Sequence, residues 1–363
     1  MGHLAIVNQE TIKYVISEGY ISTTGTLKKQ IIKTISDIFS DVLATRPGDL
    51  VFPWIIAGKS KGKSNENIGF KYIFRVKGLP VLVNGDPYPV KVPLQDVGYE
   101  FEIPLSEPEA LDLWTNKLLW NAIGKKSLGR GRSLTHQLPM EDERLLELLK
   151  DKNPKRPKKI RLGGKPVKGE LIHINPLQDS WDSILQQTLE GMTEKKRISN
   201  LDLRGLPWRR GNFFYNEKTL EAWMMQNIDT LETNKFKEEV LVQELPVEWF
   251  GNYLPFGVAG GNMDVVILQS NAENKICTVI ELKVGSLNQK KYLEAANQVI
   301  NYAHFIQRAF NSYNIEAEMN SVVLCGRTSR AIGYLPFKSN GIEVKLITYC
   351  INNKGQVDFL RLI

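Results

Sequence analysis

Cysteine and histidine are scarce: the 363 residues include three cysteines and four histidines. Cys277, Cys325 and Cys350 lie far apart in apolar runs, which suits buried thiols and argues against a disulfide framework. No close Cys/His spacing exists, which argues against a structural zinc site. Any metal has to be held by carboxylates, which points to hard cations such as Mg²⁺, with Mn²⁺ as a substitute. No stretch approaches the roughly 20 apolar residues that a membrane helix needs. The opening residues MGHLAIVNQE lack a basic leader, an apolar run and a small-residue cleavage site, so a cytoplasmic protein is expected. Internal repeats and low-complexity tracts are also lacking.

What is present is a folded composition, with 42% apolar residues, on a chain too long for one ordinary core. Two domains are expected. A net charge of +7 and a pI near 9.0 favour a polyanionic partner, although the same charge also serves solubility. The charge is densest at residues 152–168, KNPKRPKKIRLGGKPVK, where eight of seventeen residues are Lys or Arg and none is acidic. Pro and Gly interrupt any regular element there, so residues 151–211 are read as a basic linker and connecting segment between domains at 1–150 and 212–363. A solvated tether and a phosphate-neutralising strip are both open for this run.

In the first half, an apolar run at 4–7 precedes helical patterns at 9–17 and 26–44. Strand patterns follow at 50–57, 69–76 and 98–104, with 80–92 broken by the turn Asn84-Gly85-Asp86. Helices are expected again at 107–123 and 140–149. Short strands rolled into a small β-barrel with flanking helices are the expected architecture. In the second half, an amphipathic helix at about 216–231 is followed by strands at 264–268 and 276–283 and a long helix at about 289–310. Apolar runs at 321–325 and 344–351 close the chain. This order implies an α/β domain with a central mixed sheet.

Asp264 opens the apolar run DVVIL, and the turn signal at 270–274 leads into ICTVIELK, so the two strands are expected to pair as a hairpin. Glu281 and Lys283 are two residues apart, so strand alternation turns both to one face while Leu282 faces the other layer. Two carboxylates beside an ammonium suit phosphodiester cleavage. A divalent ion needs oxygen ligands, an attacking water must be deprotonated, and the transition state gathers negative charge. In this reading Asp264 and Glu281 hold the metal, the Leu282 carbonyl adds a ligand, and Lys283 orients the water and offsets phosphate charge. A lone E-x-K on a strand is more often a surface charge pair. The surrounding residues alter that balance: Gln298 and Tyr302 are one helical turn apart after Lys283, and Glu217 and Glu221 share the same spacing upstream.

This order of helical Glu, strand Asp, strand E-x-K and helical Q-x-x-x-Y resembles the PD-(D/E)xK nuclease superfamily, especially its RecB-like and NucS-like branches, over roughly residues 212–330. The resemblance implies a restriction-endonuclease-like mixed sheet flanked by helices and metal-site roles for Asp264, Glu281 and Lys283. It also implies a supporting acidic role for Glu221 and positioning roles for Gln298 and Tyr302. Met263 stands where the family motif carries proline. Glu221 is preferred to Glu217 because Leu220-Glu221-Ala222-Trp223 ahead of Asn227 looks like the family's first helix.

In the segment RGLPWRRGNFF at 204–214, Trp208, Arg209, Arg210 and Phe213 mix cations and rings in a manner suited to phosphate contact and base stacking, or to an ordinary loop. The first half, with its R-P-G-D-hydrophobic opening at Arg46, its strand order and a helix carrying Trp114 and Trp120, is similar in layout to EVE-type, PUA-like domains. That resemblance implies a reader of modified bases, with Phe52, Trp54 and Tyr72 as candidate pocket walls. Lys59, Lys61 and Lys63 suit phosphate contacts beside such a pocket or, more plainly, a solvated loop. Taken singly, each aromatic suits a core position better.

Together these expectations describe a Mg²⁺-dependent endonuclease acting on double-stranded, base-modified DNA, consistent with modification-dependent restriction. Two alternatives stand beside it: a NucS-like repair or structure-selective nuclease, and a non-catalytic binding protein of DNA or RNA. A double-strand cut by one active site per chain would need a homodimer, for which the sequence identifies no interface.

Overall fold

The computed structural model describes residues 1–22, 40–56, 68–83, 90–106, 109, 134–164, 169–172, 209–229, 235–242, 245–256, 261–327 and 335–363. These are mixed α/β and fall into two compact units, one within Met1–Ile172 and the other within Gly205–Ile363. The expected helices at 107–123 and over most of 26–44, with Trp114 and Trp120, lie outside the described residues. So do the Asn84-Gly85-Asp86 turn, Lys59, Lys61, Lys63 and Trp208. No helix among the described residues is long and apolar enough to cross a membrane.

The first unit runs β1 (Gly2–Asn8), α1 (Gln9–Glu18), β2 (Tyr20–Ser22), β3 (Leu50–Ile56), β4 (Gly69–Arg75), β5 (Val81–Leu82), β6 (Val90–Pro93), β7 (Val97–Leu105), β8 (Thr135–Gln137), α2 (Pro139–Lys152), β9 (Lys158–Arg161) and β10 (Glu170–Leu171). The Asn8 side chain accepts from the Glu10 and Thr11 amides at 2.9 and 2.7 Å, which caps α1. Gly19 stops the helix at φ 77°, a left-handed turn that places its N–H on the Val15 carbonyl. A six-stranded sheet has the order β8-β1-β3-β4-β7-β9, and a four-stranded sheet the order β10-β5-β6-β2. Both are open among the described residues: no pairing closes either into a barrel. Between Val51 and Trp54 the pairing with β4 shifts register, and Val51, Phe52, Phe70 and Phe74 fill the core behind it.

The basic run is not a tether along its whole length. Lys158–Arg161 is β9, paired antiparallel with Val97–Glu100 at the end of the six-stranded sheet. An end strand presents side chains to solvent and pairs on one side only, so consecutive lysines after Pro157 are compatible with it. Linker composition and edge-strand composition coincide here.

The second unit runs β11 (Arg209–Arg210), β12 (Phe213–Phe214), α3 (Glu217–Asn227), α4 (Lys235–Val240), β13 (Val247–Phe256), β14 (Gly261–Ser270), β15 (Lys275–Leu282), α5 (Gln289–Asn311), β16 (Glu318–Gly326), β17 (Phe337–Ser339), β18 (Ile342–Ile351) and β19 (Val357–Arg361). Its seven-stranded sheet has the order β13-β14-β15-β16-β18-β17, with β19 also on β18. The strands β13, β14 and β15 form an antiparallel meander, and β16 lies parallel to β15 after the crossover through α5. A parallel neighbour requires such a crossover, and this one packs α5 on β15 and β16. Strand β13 was not expected from the sequence: Gly251, Asn252 and Pro255 read as breakers, yet at a sheet edge they leave pairing to β14 intact.

Candidate active site

The site is built where α3, β14, β15 and α5 converge. Helix α3 is fixed at its start by Asn216, whose side chain accepts from the Thr219 amide at 2.9 Å while Thr219 Oγ1 accepts from the Asn216 amide at 2.9 Å. Its Trp223 packs on Phe214 and Phe359, with ring centroids 5.5 and 6.2 Å away. These contacts bring Glu217, Lys218 and Glu221 to the sheet. Helix α5 is capped by Asn288, which accepts from the Lys291 amide at 2.9 Å, and carries Gln298 and Tyr302 on one face.

Strand register then assembles the acids. Val265 pairs with Ile280, so the preceding Asp264 meets the following Glu281 across the ladder. Asp264 Oδ2 accepts from the Leu282 amide at 2.9 Å, which locks its carboxylate to the end of β15. Lys283 Nζ donates to Glu281 Oε1 at 2.5 Å and lies 3.5 Å from Glu217 Oε1. The Lys283 amide donates to the Leu324 carbonyl at 2.8 Å, so backbone pairing continues past the last strand residue. Just beyond, Tyr349 on β18 donates from its hydroxyl to the Val284 carbonyl at 3.1 Å and steadies the turn after the lysine.

Both carboxyl groups are pushed up from their ordinary values. For Asp264 the causes are burial, then the negative charge of Glu281, with Glu221 adding to it against the opposing Lys218 charge and the Leu282 amide. For Glu281 burial again leads, opposed by the Lys283 contact and by Lys218. Burial would lower Lys283, but the charge and hydrogen bond of Glu281 outweigh it and raise its pKa. Tyr302 is raised by burial, with Glu281 and Asp264 contributing, although the Gln298 contact and Lys283 act the other way. Gln298 Nε2 donates to the Tyr302 hydroxyl at 2.5 Å. Tyr302 therefore lies in the field of the acidic pair, and Gln298 is tied to it.

The expected set Asp264, Glu281, Lys283, Gln298 and Tyr302 is thus gathered in one region. Glu217 and Glu221 divide the role left open for a helical acid. Glu217 is about half exposed and faces Lys283, whereas Glu221 is fully buried and engaged by Lys218 and by Asn252 Nδ2 at 2.5 Å. Two participants escaped the sequence reading. Lys218 was visible in principle, three residues before Glu221 on one helical face. Asn252 was not, since it sits on the unanticipated β13.

Glu281 Oε2 has no hydrogen-bond partner although it is buried. A buried carboxylate oxygen left this way is costly unless a cation or donor completes it. That orphan, with Asp264 beside it and the Leu282 carbonyl between Glu281 and Lys283, fits a hard divalent cation. Among the described residues no three His, Cys, Asp or Glu side chains gather into a closed cage. Mg²⁺ suits this partial set, because it usually keeps waters and takes one or two carboxylates together with substrate phosphates.

Elsewhere the predicted contacts divide. The β11–β12 hairpin turns Phe213 and Phe214 onto Tyr349, at centroid distances of 6.3 and 5.6 Å, while Arg210 is exposed and Arg209 half-buried. Phe214 is buried and Phe213 half-buried. In the first unit Phe52 is fully buried and Trp54, 6% exposed, packs on Phe70 at 4.7 Å. Tyr72 is half-buried and donates to Glu100 Oε1 at 3.2 Å. Burial raises the Tyr72 hydroxyl to about 12, helped by Glu100.

No family model matches this chain, and no curated protein matches it.

Proposed function

We propose that the second unit is a Mg²⁺-dependent DNA endonuclease domain of the PD-(D/E)xK class. The observation that carries this reading is the buried, unpartnered Glu281 Oε2 beside Asp264, with Lys283 held on the other oxygen of Glu281. Acids kept together in spite of mutual repulsion and desolvation are characteristic of sites that await a cation. The succession α3, β13, β14, β15, α5, β16 supports the same reading, with Asp264 on the second strand of the meander and E-x-K at the end of the third.

Within this proposal Asp264 and Glu281 hold the metal and the Leu282 carbonyl contributes a further ligand. When bound, Mg²⁺ or Mn²⁺ supplies Lewis acidity at the scissile phosphate and at an attacking water. The protein's part is to keep that group in place and manage charge. The Leu282 amide fixes one Asp264 oxygen and leaves the other available. Lys283 orients the attacking water and offsets negative charge on the phosphate. Tyr302 and Gln298 brace the substrate side of the pair, and Arg209 and Arg210 contribute phosphate contacts.

The first unit, on the sequence resemblance to EVE-type, PUA-like domains alone, is proposed as the reader that directs cleavage to base-modified double-stranded DNA, with Tyr72 as the accessible aromatic of the three candidates. The burial of Phe52 and Trp54 favours a second reading, in which this unit recognises DNA shape and takes no flipped base, as expected for a repair or structure-selective nuclease. Homodimerisation remains part of the proposal wherever both strands are cut.

The test is cleavage of matched plain and cytosine-modified duplexes in Mg²⁺ or EDTA, comparing the intact protein with Lys283→Ala. Metal-dependent cutting of only the modified duplex, lost in the variant, supports the reader coupled to a nuclease. Cutting of mismatched or branched DNA without regard to modification selects the second reading. Binding without cutting of any DNA or RNA would remove the catalytic reading.

A further inference from the structure

Lys218 has no task in the chemistry above, yet it occupies a telling position. It projects from the first turn of α3 into an ion pair with Glu221, with Lys218 13% exposed and Glu221 fully buried. The other Glu221 oxygen accepts from Asn252 Nδ2 at 2.5 Å. Both oxygens of the helical acid are therefore engaged, one of them by a cation belonging to the chain itself. Around this pair two buried acceptors have no hydrogen-bond partner, Asn252 Oδ1 and Glu281 Oε2. The Lys218 charge acts on both Asp264 and Glu281, opposing the repulsion between them. Lys283 is the other cation of the site, but it is more open to solvent and is bound to Glu281 and Glu217.

We propose that Lys218 is a resident counter-cation of this site: it neutralises Glu221 while no metal is bound, and its charge opposes the binding of a divalent ion at the neighbouring carboxylates. The inference rests on the metal-dependent reading above and goes beyond it by assigning the control of metal affinity to a residue outside the D…E-x-K set. The physical ground is simple. A desolvated ammonium and a divalent cation near the same carboxylates repel, and unit charges a few ångströms apart at a protein surface interact strongly enough to alter affinity by at least about tenfold. A lysine can yield such a position because its charge is carried on a flexible four-carbon stem. Glu221 and the Asn252 carbonyl then become available to the metal or to a water it carries.

The experiment is direct metal binding, with Mn²⁺ followed by electron paramagnetic resonance and Mg²⁺ by calorimetry, on the intact chain, Lys218→Met, Lys218→Arg and the double variant Lys218→Met/Glu221→Gln. Thermal unfolding with and without metal is recorded alongside. Lys218→Met is expected to bind Mn²⁺ about tenfold more tightly, to melt lower without metal and to gain more from adding it. Lys218→Arg should stay near the parent, and the double variant, with its charge pair removed, should recover both metal-free stability and parental affinity. Should Lys218→Met not fold, Lys218→Gln carries the same expectation, because it retains a hydrogen bond to Glu221. Equal or weaker Mn²⁺ binding by the neutral variants, with the parent binding normally, overturns the role of Lys218 and leaves the nuclease reading standing. Absence of Mn²⁺ binding by every form, including the parent, overturns both.

Discussion

Asp49, buried in the first unit, and Asp264, half-buried in the second, are treated in opposite ways. In the first unit Asp49 Oδ1 meets the Met1 ammonium at 2.9 Å, and its Oδ2 meets His3 Nε2 at 2.8 Å and the Arg46 amide at 2.8 Å. Burial would raise this carboxyl, but the His3 hydrogen bond and charge, with those of the terminal ammonium, hold it below its ordinary 3.8. In the second unit Asp264 has one amide and two acidic neighbours, and its carboxyl is driven up. Asp49 has its partners supplied by the chain itself. Asp264 is set against other acids, the arrangement that the proposed cation would complete.

The sharpest break in this comparison is catalytic. Lys283→Ala should lower metal-dependent cleavage by roughly 10²–10⁴-fold, the range for loss of a positioned acid–base group, while circular dichroism and unfolding stay near the parent. A variant that unfolds instead would make Lys283 a scaffold residue like His3. Next in size is Asp49→Ala, which strands the His3 and Met1 side of its cluster and should cost about 3–5 kcal/mol in denaturant unfolding. Added Mg²⁺ should not restore it. The sign with pH follows from the lowered carboxyl: the stabilisation is present above about pH 4 and is lost as pH falls through the folded-state value.

Asp264→Asn should do the reverse. A raised carboxyl contributes stability that is present below its ordinary 3.8 and is lost as pH rises through its folded value, so ionised Asp264 is a burden near neutrality. The metal-free variant should gain roughly 0.5–2 kcal/mol at pH 7.5, a gain that vanishes in acid, and should lose Mg²⁺ binding. Unchanged stability across pH would erase the contrast with Asp49. In the parent, Mg²⁺ affinity should strengthen with rising pH as Asp264 and Glu281 give up their protons, which calorimetry at several pH values can follow. The smallest effect is expected for Tyr302→Phe. Loss of one hydrogen bond to Gln298, worth about 0.5–1.5 kcal/mol, should lower cleavage some 2–10-fold.

Much of the second unit was legible in its amino acids. The alternation that puts Glu281 and Lys283 on one face, the turn that folds Asp264 back toward them and the one-turn spacing of Gln298 and Tyr302 are consequences of local periodicity. Strand β13 was hidden because edge position excuses the Gly251, Asn252 and Pro255 that would disqualify a central strand. Strand β9 was hidden because a lysine-rich solvent edge has the composition of a linker. In the first unit the aromatics Phe52 and Trp54 carried no mark distinguishing a core ring from a pocket wall; burial alone separates them from Tyr72.

The sequence by itself therefore determined the chemical types available: two strand acids, a strand lysine, a helical glutamine–tyrosine pair and an excess of positive charge. Only the tertiary structure decided which groups share partners. It joined Glu221 to Asn252 from 31 positions away, gave Asp49 its counter-charges and left Glu281 Oε2 without a hydrogen-bond partner. The reason is one of range. Periodicity fixes the direction of a side chain within its own element, whereas charge compensation in a buried place depends on which distant elements are packed against it.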